Sequence, residues 1–430
     1  MHATPRTDVR LDDLTGLTPL AATTTSHDLR PIYATVREAW GPVAPVELSD
    51  GVPAWLVLDY ADVVRVLREP ATFSRDVAHW RAFGDGRVRL GTGLHAFFSP
   101  RSNAYYTDGD QNIRLRAVVD DAFECVDEKL LAREVRRACD RILDHIAPHG
   151  TADLVPSYTA LVPSLAVAAM YGLGPDLAAD MLIWASDIFS NTERAVPAFL
   201  ALNTMLQAEI DRRRVHPTSD VLSALVHHPA RLNSTELLDT AQMIQSAGHE
   251  MSVAWTTTTL AHLLADAAFA GRVAGGRLGI DEALSTVLVH ASPTWNTPCR
   301  FATADTEVAG RAIHRGDAVV TAVAEATLAV HRDADQIWSA DSRAHLAFGA
   351  GPHHCPANRL ARIIVKVAVE QAIVRLPGLR LTIPAAELGY GPSLWSRSAP
   401  TLPVTFQPTH LAANPDLPLP GALSATATEP

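Results

Sequence analysis

The stretch from about Asn233 to Ala268 constrains this chain more than any other. It opens with an Asn-x-x-Glu capping box, in which Asn233 and Glu236 satisfy free backbone donors at a helix start, and it continues with helical spacing. A helix of that length crosses a whole domain, so the other elements must pack around it. Before it stand "IRLRAVVDDAFE", "LLAREVRRACDRILDHIA", "SYTALVPSLAVAAMYGL", "AFLALNTMLQAEIDRRR" and "SDVLSALVHH", all with helical periodicity. They predict a helix bundle in the middle of the chain. A further helix is expected near Asp281 to His290, and a strong last one from Pro356 to Leu376.

Strand-like pieces are short. "PAWLVLDY" follows Gly51, and "EVAG", "HRGDAVVTAV", "LRLTI" and "LPVTF" come late. Between them, "ADVVRVLREP" from Ala61 has helical spacing that ends at Pro70. The fold class is therefore mainly α with small β-sheets. At 430 residues the chain exceeds the usual limit for one core, so it is either two domains or one core built around something large, such as a cofactor. No repeat and no long linker interrupts it, which favours one large domain over residues 27–409. Residues 1–26 read as a mobile N-terminal extension and 410–430 as a proline-rich mobile tail.

A formal net charge of -11 argues against a general nucleic-acid or anionic-membrane binder. Lysine occurs only at Lys129 and Lys366, so nearly all cationic chemistry falls to arginine. Cys125, Cys139, Cys299 and Cys355 are scattered without metal-type spacing, which fits a reducing compartment. The N-terminal residues mix charges and carry no apolar core of a secretory signal, and no run approaches the ~18 apolar residues of a membrane span. A cytoplasmic monomer is expected. From Asp76 to Thr107 the chain is rich in glycine and aromatics without a sustained period, as lids and binding loops often are.

The chemistry concentrates in "LAFGAGPHHCPANRLAR", residues 346–362. A thiol at a helix N-terminus has its thiolate favoured by free backbone N–H groups and the positive dipole end. Gly349 and Gly351 free the backbone to turn its amides toward the sulfur. A buried, inert cysteine is the ordinary alternative for a lone thiol. A zinc site from His353, His354 and Cys355 is disfavoured, because three adjacent side chains do not readily converge on one tetrahedral ion. A catalytic Cys–His pair stays open.

Taken together, Phe348, Gly349, Gly351, His353, Cys355, Leu360, Ala361 and Arg362 resemble the haem-binding signature Phe-Gly-x-Gly-x-His-x-Cys of the cytochromes P450, with Ala357 where glycine is usual. The resemblance extends over about Leu29 to Pro408 and is strongest to soluble bacterial members. It implies a P450 fold holding haem b, with Cys355 as the proximal thiolate ligand that pushes electron density toward the iron to favour O–O cleavage. By the same resemblance His353 reaches a haem propionate and Phe348 packs against the ligand. Haem would lie between the long helix and the cysteine-bearing helix, and the aromatic loop 76–107 would face the substrate.

Three family elements are altered. In "DGDQNIRLR" the usual His-x-x-x-Arg becomes Asn112 and Arg116, which leaves Arg116, Arg300 and His353 to neutralise the propionates while Asn112 offers an uncharged hydrogen bond. In "AGHEMSVAW" the family's Ala-Gly-x-(Asp/Glu)-Thr becomes Ala247, Gly248, His249, Glu250 and Met251. Gly248 allows close approach to the haem and Glu250 supplies the acid, but the Met251 thioether has no proton to donate. Ser252 is turned about 100° around the helix, His249 is expected on the helix surface, and Thr256 to Thr259 are expected to pack. The Glu-x-x-Arg of the family should fall at Thr286 to Val289 and is absent, leaving its usual partner, Arg343, without it. Losing both members of a buried ion pair costs far less than losing one.

The function implied is a haem-thiolate monooxygenase that inserts one oxygen atom into a small organic substrate, in secondary metabolism, with electrons from ferredoxin and its reductase. Arg114, Arg359 and Arg362 are candidates to meet an acidic ferredoxin. Two alternatives stand beside it: a haem-binding partner or ligand-binding module with little monooxygenase activity, and a peroxide-using or substrate-assisted enzyme.

Overall fold

A sheet of six short strands organises the first of two units. In the computed structural model, which describes residues 9–189, 193–331 and 344–409, the strands are β1 (Thr18–Pro19), β2 (Val43–Ser49), β3 (Val52–Val57), β4 (Phe73–Ser74), β5 (Thr297–Ala302) and β6 (Ala318–Thr321). Their order is β1-β2-β3-β6-β5-β4, with β1 parallel to β2, β3 parallel to β6, and the other neighbours antiparallel. The unit draws on Met1–Arg116, Leu288–Cys355 and Tyr390–Arg397.

Every residue of β3 is buried, as a strand covered on both faces must be, and its neighbours fill one core with Leu56, Trp80, Phe98 and Phe301 and another with Trp55, Val66, Leu67 and Leu346. Helix α1 (Tyr60–Arg68) contributes Val66 and Leu67 to the second core; its apolar residues Val63, Val66 and Leu67 recur at helical spacing.

Residues 9–26, expected as part of a mobile extension, are instead built into this unit. Thr18 pairs with Val46, Leu11 is buried in the second core, and the buried hydroxyl of Thr23 donates to the Leu20 carbonyl at 2.7 Å. Their polar composition concealed a few anchoring positions. Residues 1–8 and 410–430 lie outside the described residues. The aromatic loop after Asp76 also carries structure: short helices form at Arg81–Gly84 and Gly93–Phe98, and Trp80 stacks on Phe301 at 5.0 Å and meets Phe98 edge-on at 5.1 Å. Trp80 and Phe98 are thus core residues.

The second unit, from Ala117–Val287, Pro356–Gly389 and Ser398–Pro430, is helical. Helix α2 (Gly109–Glu124) leads into it and is followed by α3 (Glu128–Ile146), α4 (Val162–Met170), the long α5 (Ser234–Ala265), α6 (Ile280–His290) and α7 (Asn358–Arg375). Asn233 caps α5 with both bonds of the expected box, Glu236 N to Asn233 Oδ1 and Asn233 N to Glu236 Oε2, each 3.0 Å. Asp266 stops the helix and caps the next one. A helix at Pro175–Phe189 went unforeseen. A three-stranded sheet of Thr151–Asp153, Arg380–Leu381 and Pro403–Thr405 closes the unit, the last two strands falling within "LRLTI" and "LPVTF".

Candidate functional site

The cysteine loop belongs to the first unit. Its turn is held by backbone bonds from Gly349 N to Leu346 O at 2.8 Å, His354 N to Gly351 O at 2.9 Å and Cys355 N to Phe348 O at 2.9 Å. Gly349 and Gly351 both sit at φ +71°, a conformation closed to most side-chain-bearing residues. At Gly351 space is also decisive: a Cβ there would lie 2.5 Å from the Leu67 carbonyl oxygen and 2.9 Å from Arg68 Cα of α1. Cys355 is half-buried and stands before Ala357, the N-cap of α7, so the helix starts two residues later than its expected first residue Pro356.

Arg116 braces this loop. One guanidinium nitrogen donates to the carbonyls of Pro352 at 3.0 Å and His354 at 2.7 Å, on either side of His353. Asn112 is buried and its amide donates to the Ala104 carbonyl at 2.7 Å, which fixes the turn entering α2.

His353 meets a residue that no motif singled out. Its Nε2–H donates to Asp108 Oδ1 at 2.8 Å, while Asp108 Oδ2 accepts from Ser74 Oγ at 2.7 Å and from the Arg75 backbone N–H at 2.6 Å. Burial alone would raise the Asp108 carboxyl, but hydrogen bonds from His353, Ser74 and Arg75 outweigh it and hold the group down at about 2. Burial, with help from the charges of Arg75 and Arg300, pushes the His353 imidazole down to about 4 despite that carboxylate.

Arg300, on β5, is buried at 2% exposure and among the described residues reaches only the Phe73 carbonyl, at 3.4 Å. Burial first and Arg75 second push its guanidinium down to about 9. Arg75 is itself buried, and the Nε atoms of both arginines lack a hydrogen-bond partner. Unpartnered buried donors of this kind are costly, and a carboxylate is the group that relieves them. The propionates of haem fit that requirement. No three His, Cys, Asp or Glu side chains among the described residues are arranged to hold a metal ion.

The remaining expected residues lie on α5, in the second unit. Ala247, Gly248, Glu250 and Met251 occupy its less buried side, whereas His249 and Ser252 are buried. His249 is thus not on the surface: its Nδ1 lies 2.8 Å from Ser164 Oγ of α4, and burial pushes its imidazole down to about 4. The threonines pack as expected, Thr256 and Thr259 bonding back to the carbonyls of Ser252 and Trp255 at 2.8 Å and Thr257 meeting Thr159 at 2.7 Å.

On α6, Thr286 and Val289 are buried where the family motif should stand, and the Thr286 hydroxyl bonds back to the Glu282 carbonyl at 2.8 Å. The helix is tied to α7 instead by Arg362, which donates to Asp281 O and Ser285 Oγ at 3.1 Å each, and by Lys366 on Asp281 at 2.6 Å. Arg343 lies outside the described residues. Arg359 is engaged with Glu128 and, at 3.5 Å, with Glu124, so neither Arg359 nor Arg362 is a free surface charge.

No protein-family model matches this chain. Curated relatives do. The chain is 30% identical over 393 residues to the cytochrome P450 monooxygenase PikC of Streptomyces venezuelae, covering 88% of this chain and 91% of the relative. It is likewise 30% identical over 393 residues to nocardicin C N-oxygenase of Nocardia uniformis subsp. tsuyamanensis, covering 88% and 96%. Among solved structures, CYP154A1 from Streptomyces coelicolor A3(2) is 29% identical with a TM-score of 0.75, over 91% of this chain and 99% of that one.

Proposed function

This chain belongs to the cytochrome P450 family and is a P450 monooxygenase, and we propose that it inserts one oxygen atom into a small organic substrate of secondary metabolism. Ferredoxin and its reductase supply the electrons in this reading, and the protein works in the cytoplasm. No helix among the described residues is long and apolar enough to cross a membrane, which suits soluble electron carriers.

The Cys355 loop carries the proposal. Two left-handed glycines, the Arg116 brace and the close approach to α1 fix the backbone around one half-buried thiol. Haem bound through that sulfur supplies the dioxygen chemistry. Arg300 receives a propionate, while the Asp108–His353 bond and Arg116 hold the loop in place rather than acting as free cations. On α5, Gly248 keeps the helix slim, and the Glu250 carboxyl is the proton-holding group of the accessible side.

One observation favours a variant of this chemistry. Met251 offers no hydroxyl, and the neighbouring Ser252 is buried at 3% exposure on the other side of α5. Proton delivery then falls to Glu250 and a hydroxyl of the substrate, or peroxide serves as oxidant.

The test begins with the reduced carbon monoxide complex. It should show the red-shifted Soret band of thiolate ligation, and Cys355→Ser should abolish it; an unshifted wild-type band refutes the ligand assignment. Turnover of a compound panel with ferredoxin, its reductase and NAD(P)H supports the monooxygenase. Tight ligand binding without turnover, under that system and under peroxide, identifies a binding module instead.

A further inference from the structure

Arg75 stands immediately before the aromatic loop, and neither motif nor periodicity marks it. It is 7% exposed, its guanidinium lies 4.0 Å over the Tyr105 ring, and Nη1 donates to the Pro298 carbonyl at 3.2 Å. Stacking on the ring holds the guanidinium plane, and of its five N–H donors this contact occupies one. Its Nε, like that of Arg300, is buried without a partner. The backbone N–H of Arg75 binds the same carboxylate, Asp108, that receives His353.

Charge makes the arrangement incomplete. Arg75 and Arg300 bury two guanidinium groups, each with an unpartnered Nε, and the one carboxylate described beside them, Asp108, is taken up by His353, Ser74 and the Arg75 backbone. Two like charges buried near each other oppose one another. A buried pair of like charges needs an anion between or beside them. A planar carboxylate matches the fork of donors that each arginine keeps.

We propose that Arg75 and Arg300 together bind a carboxylate of the haem, Arg75 supplying the positive charge that Asn112 does not. This rests on the haem-thiolate reading above and extends it to a residue outside the signature. Asn112 cannot contribute a charge, and one amide hydrogen is already on the Ala104 carbonyl. The cation thus comes from the end of β4 instead of from the first turn of α2, and the Tyr105 ring and Asp108 hold it there.

The experiment uses apoprotein reconstituted with iron protoporphyrin IX or with its dimethyl ester, which lacks the free carboxylates. Haem transfer to an excess of apomyoglobin is followed by absorbance for wild type, Arg75→Gln and Arg75→Lys. With the free acid, Arg75→Gln should release haem roughly ten- to a hundredfold faster than wild type, and Arg75→Lys should fall between them. With the dimethyl ester the three proteins should release at the same rate. A ratio that is the same for acid and ester, or an Arg75→Gln rate equal to wild type, overturns the proposal. Should Arg75→Gln fail to fold by circular dichroism, Arg75→Lys against wild type decides by the same comparison. A wild-type protein that takes up haem without the thiolate Soret band refutes the underlying reading, a result distinct from either of these.

Discussion

Adding a single methyl group at Gly351 should damage the site far more than the same change at Gly349. Both glycines sit at φ +71°, so alanine at either pays a left-handed backbone penalty of about 1–2 kcal/mol. At Gly349 the nearest atom to the new Cβ is the His353 carbonyl oxygen at 3.8 Å, an ordinary contact. At Gly351 the Cβ would stand 2.5 Å from Leu67 O and 2.9 Å from Arg68 Cα, both backbone atoms of α1 that cannot swing aside. Overpacking of that kind costs a further ~1–3 kcal/mol, and the stiffer unfolded chain returns only ~0.4–1 kcal/mol in either variant. Gly351→Ala should therefore be less stable than Gly349→Ala by about 1–3 kcal/mol. Urea unfolding of the two variants measures the difference. The carbon monoxide complex of Gly351→Ala should also lose part of its thiolate band, because the loop must shift at the residue four before Cys355. Equal midpoints and equal spectra would refute the close-approach argument.

His249 yields a pH prediction. Burial pushes its folded pKa down to about 4, below the ordinary imidazole value of about 6.5, so the unfolded chain binds the proton first. Stability is then complete above pH 6.5 and falls by about 1.4 kcal/mol per pH unit on the way to pH 4. His249→Gln keeps a partner for Ser164 and should flatten that slope by about one proton in acid-unfolding titrations; an unchanged slope counts against a buried neutral imidazole. On the same helix, Met251→Thr restores a hydroxyl to the accessible side of α5 and should raise product formed per NAD(P)H consumed several-fold. Unchanged coupling would mean that proton delivery does not depend on this position.

The long helix and its capping box were legible because both are local: Asn233 and Glu236 are three residues apart, and their bonds follow from backbone geometry alone. The same holds for the cysteine loop, whose two glycines and Cys355 lie within one turn of chain. The residues around that loop were not legible. Asp108 stands 245 positions from His353, and Arg116 stands 238 from His354, so no spacing rule connects them. Asp108 opens the "DGDQNIRLR" stretch, where an acid at a helix start has an ordinary capping explanation. His249 was misplaced for a related reason: its polarity points outward, and only the position of Ser164 on α4 makes its burial tolerable.

The sequence by itself determined the helix-rich class, the cysteine and the kind of cofactor that such a cysteine implies. Whether a given arginine is a solvated charge, a brace on a carbonyl or a buried cation awaiting an anion depends on which side chains desolvate it, and those come from distant parts of the chain. Arg362 turned out to tie two helices together, Arg116 to hold the cysteine loop, and Arg75 and Arg300 to be buried with unpartnered Nε donors. Hydrogen-bond propensities and turn conformations act over a few residues, whereas burial and electrostatic neutralisation are properties of the packed chain. That is why the candidate ligand loop could be read from seventeen residues of sequence, whereas the buried cations near it were placed only by the tertiary structure.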